Sequence, residues 1–587
     1  MNQRLLVISW VVATAAASLG STGELRPLDE LLRTSPVVSL EIHPERIEFH
    51  TRFEYAQLLL SARLENGQVV DITREAQLVG PSPLVDVSKQ GHVTPLMDGT
   101  GSLRFQIQEL SIEVPVTVSG QDEHFEPSFV QDVMPLISRL GCNAGTCHGA
   151  QQGKNGFKLS LRGYDPAFDH QALTDDLAGR RFNRVAPDES LFLRKPTAQV
   201  PHGGGQVLLP GSRRYDLLRG WVEGGVAFAA PPAELVSLRV LPQNPSIPLP
   251  DMQQQIAVLA TYSDGSERDV TAEAFVESGD IEVTAVDDRG LVTALRRGES
   301  PILVRYEGHY AATRLVVMGD REGWEWEPVA PHNWIDTLVF EKLQRVKSQP
   351  SELCTDAEFL RRVSLDLAGL PPSPREVRTF LLDDRDSSTK RNELIDRLIG
   401  SPDFVDYWTN KWADLLQVNS KWLGAEGAER FRAWIRGAVA SNRPYDRFVN
   451  DILRASGPTY DNPEASYFKI LRKPDVVMEN TTQLFLGVRF NCNKCHDHPF
   501  ERWTQRDHWR MAAFFGQVGR VNVVGSPLMP GGGDNQPGEP PAAQEEIIYD
   551  AATGEVIDPR TGEIAIPTFP FEHAGTARGS SRRAQLA

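Results

Sequence analysis

Two clusters of cysteine and histidine carry the chemistry legible in this chain. Cys142, Cys147 and His148 stand in GCNAGTCHGA, and Cys492, Cys495 and His496 stand in FNCNKCHDHPF. The 587 residues hold five cysteines, and four of them fall in these two runs. A C-x-x-C-H run is the attachment signal for c-type haem: both thiols add to the vinyl groups and the adjacent imidazole ligates the iron. The second cluster has that spacing. The first places four residues between its cysteines, a wider span that still lets two thiols reach two vinyl groups.

The same residue types support other chemistry. Cys142 and Cys147 could close a disulfide in an oxidising compartment, or join a metal site that a further ligand completes. Cys492, Cys495, His496 and His498 could form a Cys₂His₂ metal site, although such dense spacing strains tetrahedral geometry. Cys492 and Cys495 also make a C-x-x-C thiol pair, with no βαβ pattern around it. For a haem on the second cluster, His508 and Met511 lie three apart on one helix face, so either could cap the iron. His498 is awkwardly close in sequence to reach the opposite haem face. Cys354, beside Leu353, reads as a buried, unpaired thiol inside a helix. No Ser-His-Asp arrangement, phosphate-binding glycine loop or paired-carboxylate motif stands out, so no catalytic residue is assigned and enzymatic activity is left open.

The elements that must position these clusters follow from pattern. A length of 587 residues implies about three to five domains. Hydrophobic content of 40% and charged content of 24% are those of an ordinary globular protein. A net charge of −17 argues against a nucleic-acid partner, since phosphate is met with clustered Lys and Arg. Residues 1–20 read as a secretory signal peptide: Arg4, an apolar run from Leu5 to Ala17, then small residues to Gly20. That run is short for a membrane span, and no later segment could cross a bilayer. With no cysteine beside the cleavage site, a lipidated-cysteine anchor is excluded. Export to the periplasm or cell surface agrees with the haem motif, because c-type haem is attached outside the inner membrane.

Residues 36–119 and 234–318 form an internal repeat. Each opens on alternating apolar residues (Val38, Leu40, Ile42; Leu238, Val240) and carries an acidic turn, ENGQVVDIT or SDGSERDVT. Each then has a Gly-Val-Thr piece, GHVTPL or GLVTAL in its setting, and a closing alternating strand. Short strands with Gly, Asp and Asn turns predict two β-sandwiches. The pattern resembles the bacterial Ig-like domains of exported proteins, which serve as spacers or docking units.

Between the repeats, 124–230 reads as helical. Phe129, Val133, Leu136, Ile137 and Leu140 share one helix face, which Pro135 should kink, and Ser212 caps a helix through Tyr215, Leu218, Trp221 and Val222. This region resembles the all-α cytochrome c-like domain of large exported planctomycete proteins. The resemblance places the distal ligand in a loop before the last helix, normally on a methionine. Here that loop reads KPTAQVPHGGGQ, and no methionine lies between Met134 and Met252. His202 occupies that loop position and is the candidate ligand, or else a solvated loop histidine beside glycines, with His170 the other histidine after His148 in this region. A bis-histidine iron sits at lower potential than a His/Met one.

Residues 331–520 read as mostly α. Thr355 to Glu358 and Ser373 to Glu376 are capping boxes, and Trp408 and Trp412 are spaced as core aromatics. A helix Asn480–Phe490 is expected to run into Cys492, and a second capped helix to start at Thr504. The runs RRVSLDLAGLPPS, DYWTNKWADLL and FLGVRFNCNKCHDHPFERWTQRDHWRMAAFF resemble the planctomycete domain of unknown function that accompanies the cytochrome-like domain. That resemblance implies a further large helical domain downstream. Residues 521–587 instead read as a linker, PGGGDNQPGEPP, and a short β-hairpin tail with turns at Gly554 and Gly562.

The expected chain is thus multidomain, with two Ig-like sandwiches, a cytochrome c-like domain and a mostly α C-terminal domain. Its expected role is covalent binding of one or two haems c and electron transfer with a redox partner protein. The alternative is an exported surface scaffold, its clusters structural, set among surface polysaccharide-associated proteins. An oxidase or dehydrogenase subunit acting on a surface carbohydrate is a third reading, resting on the haems alone.

Overall fold

The computed structural model describes residues 27–176, 179–228, 233–319, 321, 323–498, 501–529, 542–571 and 581–587. The expected signal peptide and the PGGGDNQPGEPP linker lie outside them. The chain divides between Ser348 and Gln349 into two compact units. Among the described residues no helix is long and apolar enough to cross a membrane.

Both repeats of the first unit are built from the same three sheets. In the first repeat, strand Leu59–Leu64 lies between Val37–His43 and Val69–Asp71. A four-stranded sheet orders Ile47–Phe49, Leu110–Val118, Gly99–Ile107 and Gln77–Leu78, and a third pairs Ala56–Gln57, His92–Pro95 and Val85–Val87. The second repeat has the same order, with Ala257–Tyr262 and the hairpin Gly298–Tyr306/His309–Val317 in the matching places. Alternation dictates this: in Leu110–Val118, Val114, Val116 and Val118 face inward while Glu113, Pro115 and Thr117 face out. Gly67 and Gly265, at φ +80° and +84°, supply the left-handed residue in the two matching turns.

The repeats also bind each other with one motif used twice. Asp71 accepts the Gln255 backbone N–H at 2.5 Å, and Asp269 accepts that of Gln57 at 2.6 Å. Each aspartate holds the threonine two residues on, Thr73 or Thr271, by its N–H. The D-I-T and D-V-T runs that mark the repeat in sequence are therefore its reciprocal clasp. Burial drives the Asp269 carboxyl up to about 6 against these hydrogen bonds.

The segment between the repeats is helical. A π-helical turn Phe129–Val133 leads into the α-helix Met134–Arg139, so the expected kink at Pro135 takes the form of a wide turn ahead of the proline. Helices Pro166–Thr174, Leu191–Arg194 and Arg213–Glu223 follow, the last capped by Ser212 as expected. Phe129 and Trp221, both buried, meet with ring centroids 5.2 Å apart and tie the first helix to the last. Asp132 pairs with Arg268 of the second repeat at 2.8 Å, and Phe53 of the first repeat enters the helical core.

The second unit is mostly helical. Helices Asp356–Ala368 and Pro374–Leu381 open with the two expected capping boxes. Trp412 packs on Phe448 at 5.0 Å beside the main core, while Trp408 is half-buried against Phe404 and Tyr407. Cys354 differs from expectation: it precedes the Thr355 cap instead of lying within a helix, and it is half-exposed beside a largely exposed Leu353. Thr355 starts the helix too late to include it. The expected hairpin tail is woven into the unit. Strand Glu546–Asp550 lies between Gly457–Pro458 and Val518–Asn522. Arg583, 1% exposed, anchors the end on Asp550 at 2.8 Å and on the Ala455 carbonyl at 2.6 Å.

Candidate functional site

The first cluster sits in a tight loop after the helix Met134–Arg139. Gly141, at φ +77°, ends the helix. The His148 N–H then returns to the Cys142 carbonyl at 3.0 Å, and the Leu159 N–H to that of His148 at 2.8 Å. The loop folds around Asn143, which is buried and donates to Ser138 Oγ at 2.7 Å. Gly149 is required: a Cβ there would stand 2.0 Å from the Asn143 carbonyl oxygen.

Within this loop the side chains are arranged unequally. Cys142 packs on the core of the helical segment, and burial, then the nearby Cys147, push its thiol up to about 12. The neutral thiol is the stable form there in the metal-free chain. A thioether sulfur carries no charge and suits the same seat. All five cysteines are free thiols, so the Cys142–Cys147 disulfide is not formed.

His148 Nδ1 lies 3.1 Å from the Phe157 carbonyl oxygen, and its ring 4.6 Å from that of Phe157. A carbonyl only accepts, so Nδ1 carries the proton and Nε2 keeps its lone pair. His202 repeats the device, with Nδ1 2.8 Å from the Gly205 carbonyl oxygen. Burial lowers the His148 pKa against the Phe157 hydrogen bond, and the charges of His202, Lys195 and Arg181 lower it further. His170 is placed otherwise: its Nε2 donates to the Val226 carbonyl at 2.9 Å, and its ring packs on Phe129 and Phe228. Of the two histidines considered opposite His148, His170 is spent on the core, while His202 keeps its ring on the Gly205 carbonyl.

The second cluster follows the helix Pro474–Phe485, which stops five residues short of the expected Phe490. Gly487, at φ +68°, breaks the chain direction, and a 3₁₀ turn Phe490–Asn493 carries Cys492. Asn493, fully buried, donates to the Thr504 carbonyl at 2.6 Å, and Gln505 donates to that of Lys494 at 3.1 Å. Cys492 is half-buried and Cys495 exposed. His496 Nδ1 lies 2.6 Å from the Asp497 carbonyl oxygen and so donates to it, which puts the lone pair of the neutral ring on Nε2. The capped helix at Thr504 is present as Gln505–Ala512.

His508 and Met511 lie in the interior on that helix, both 0% exposed. His508 donates from Nδ1 to the Phe490 carbonyl at 2.9 Å, and its Nε2 stands 3.8 Å from Glu479. Burial holds it neutral, its pKa down to about 4. Met511 is packed in the main core with Phe514 and Phe515. His498 is buried too, its N–H on the Trp503 carbonyl at 2.8 Å. Among the described residues no three His, Cys, Asp or Glu side chains converge as a metal site would need.

Sequence reading missed the carbonyl anchors at Phe157 and Gly205, which carry no side-chain signal. It also missed the Asp475–Lys494–Glu479 group beneath the second cluster, where Lys494 sits 2.5 Å from Asp475 and 3.6 Å from Glu479. Lys494 inside the C-x-x-C pair was its one visible mark.

Residues 334–520 match PSCyt2, a family described as a protein of unknown function (DUF1549). Over 69 residues, 12% of this chain, the sequence is 42% identical to an S-layer-related protein of Niallia circulans, of which the match spans 4%. Domains 5–6 of the S-layer protein SbsC align with 49% of this chain and all of that one, at 10% identity and a TM-score of 0.21. Domains 4 and 5 of SbsC align with 14% of this chain and 53% of that one, at 16% identity and a TM-score of 0.13. Scores this low do not stand for a shared architecture.

Proposed function

We propose that this is an exported, c-type cytochrome-like electron-transfer protein carrying covalent haem at the first cluster and at the second. The observation that supports it best is that His148 and His202 each hold Nδ1 on a backbone carbonyl, which leaves Nε2 of the neutral ring as a ligand atom. Cys142 and Cys147 would carry the thioether links, and His148 and His202 would hold the iron. At the second cluster Cys492, Cys495 and His496 would play the corresponding parts, with His496 fixed in the same tautomer. Bound haem supplies a one-electron carrier. The chain's own part is to set ligand tautomers, seat Cys142 in an apolar wall and keep the loop closed around Asn143. Haem staining of the denatured protein, exported with the maturation machinery, tests this: two covalent haems are expected and none would sink it. Cys495→Ser should halve the bound haem, and His202→Ala should change the spectrum of the first haem.

A second reading, an exported surface scaffold, is favoured by the identity to an S-layer-related protein and by the clasped Ig-like pair. It expects no covalent haem, so the same stain separates the two.

A further inference from the structure

The two repeats and the helical segment between them line an open cavity of about 260 Å³. None of the cysteines or histidines of the two clusters lines it. Four arginines do: Arg213 and Arg214 from the first turn of the helix Arg213–Glu223, and Arg268 and Arg289 from the second repeat. Arg268 is matched by Asp132 at 2.8 Å. Two further acids line the wall. Glu273 accepts from the Tyr55 hydroxyl at 2.5 Å, and the Asp288 backbone carbonyl takes Arg139.

The other three guanidiniums form no direct ion pair among the described residues, although the Glu273 and Glu54 carboxylates still act on Arg213. Arg214 gives one N–H to the Ala272 carbonyl at 3.2 Å. Arg213 lies 5.5 Å over the Tyr55 ring, with Nη2 buried and unpartnered. Burial lowers its pKa to about 10, which leaves it a cation at neutral pH. A desolvated cationic donor without a partner is costly to keep. One neighbour reports the same field. His92, stacked 4.8 Å from Tyr55, is brought down to about 4 by burial and then by Arg213, Arg289 and Arg214. The helix N-terminus that carries Arg213 adds positive potential of its own.

We propose that this cavity binds a small oxyanion, a carboxylate, phosphate or sulfate on a group no larger than a monosaccharide, clamped by Arg213, Arg214 and Arg289. The charge is set by the unmatched guanidiniums, which form two-pronged hydrogen bonds with planar or tetrahedral oxyanions. The size is set by the volume, roughly that of nine waters and just below the usual range of drug-sized sites. Because the clamps come from the helical segment and the second repeat, with Tyr55 and His92 from the first, the ligand would join all three modules.

Isothermal titration of the full chain with glucuronate, glucose 6-phosphate and inorganic phosphate tests the site, with neutral glucose as control. Saturable one-to-one binding of at least one oxyanion and none of glucose is expected. The three probes distinguish a sugar acid, a sugar phosphate and the free ion as sources. Arg213→Gln and Arg289→Gln should each weaken binding by about tenfold or more, the loss of a charge-assisted hydrogen bond. Arg289 is exposed, so its variant keeps the fold even where Arg213→Gln does not. The proposal is overturned if no oxyanion saturates, or if Arg289→Gln binds as the parent does.

Discussion

Cys142 offers the sharpest test of how the first cluster is built. Its thiol is pushed up to about 12 from an ordinary value of 9. Three units lower the reactive thiolate fraction about a thousandfold at neutral pH. A more basic thiolate is also a better nucleophile, and a Brønsted slope of about 0.4–0.5 returns roughly 1.2–1.5 of those three log units. The net expectation is alkylation about 30- to 60-fold slower than an ordinary thiol, before any steric shielding. The assay is a short iodoacetamide pulse on native chain made without haem maturation, with a cysteine peptide as internal standard and mass spectrometry of the peptide bearing Cys142. A rate within threefold of the standard would refute the enclosed seat. The same measurement carries over to function. In chain exported with the maturation machinery, Cys142 and Cys147 should resist alkylation even after denaturation, because their sulfurs are thioethers. Labelling of all five cysteines in that denatured sample would rule out covalent haem at both clusters.

Three further perturbations follow from named contacts. Asp269 has a folded pKa of about 6 against an ordinary 3.8, so its contribution favours the fold below about pH 4 and is lost as pH rises through 6. That difference is worth about 3 kcal/mol. Relative to the parent, Asp269→Asn should therefore gain about that much local stability between pH 4 and 7, read by hydrogen exchange around Gln57 in the full chain; a flat difference contradicts it. Gly149→Ala, with its Cβ forced against the Asn143 carbonyl, should cost about 1–3 kcal/mol and remove haem stain from the first cluster alone. Retention of both haems would show that the loop yields. Glu546→Ala removes the carboxylate that pairs with buried Arg472 at 2.9 Å and should cost about 3–5 kcal/mol. Limited proteolysis should then cut within 546–571 well before the parent is cut, and unchanged resistance would count against the woven tail.

Pattern carried the fold where period and punctuation decide it. Strands with strict alternation, such as Leu110–Val118, and helices with a cap at each start, such as those after Thr355, Ser373 and Thr504, form where the residues place them. Expectation failed where a single residue competes with its neighbours' period. The helix before Cys492 stops at Phe485 because Gly487 takes a left-handed turn that the apolar spacing around it conceals. The tail strand Glu546–Asp550 was legible as a strand but not in its pairing. Its partners lie about 25 and 90 residues upstream, and long-range pairing leaves no local mark.

The same distinction explains how far the sites could be seen. A haem motif is a contiguous run, so both clusters stand out, and the spacing difference between them is visible without coordinates. What separates them physically is set elsewhere in the chain. Phe157 and Gly205 fix the tautomers of His148 and His202 through backbone carbonyls, an interaction indifferent to side-chain identity. Cys142 is half-buried because it packs on the core that Trp221 joins some eighty residues later, whereas Cys495 follows a short surface turn and stays exposed. The arginine-lined cavity is the extreme case: Arg213, Arg214 and Arg289 are ordinary surface-type residues in sequence. They become a candidate clamp through the D-I-T and D-V-T clasp, which closes the two repeats over the helix that bears the first two. A motif can announce its chemistry locally. Whether that chemistry is sheltered, and what else the fold can bind, depends on contacts that only closure of the chain creates.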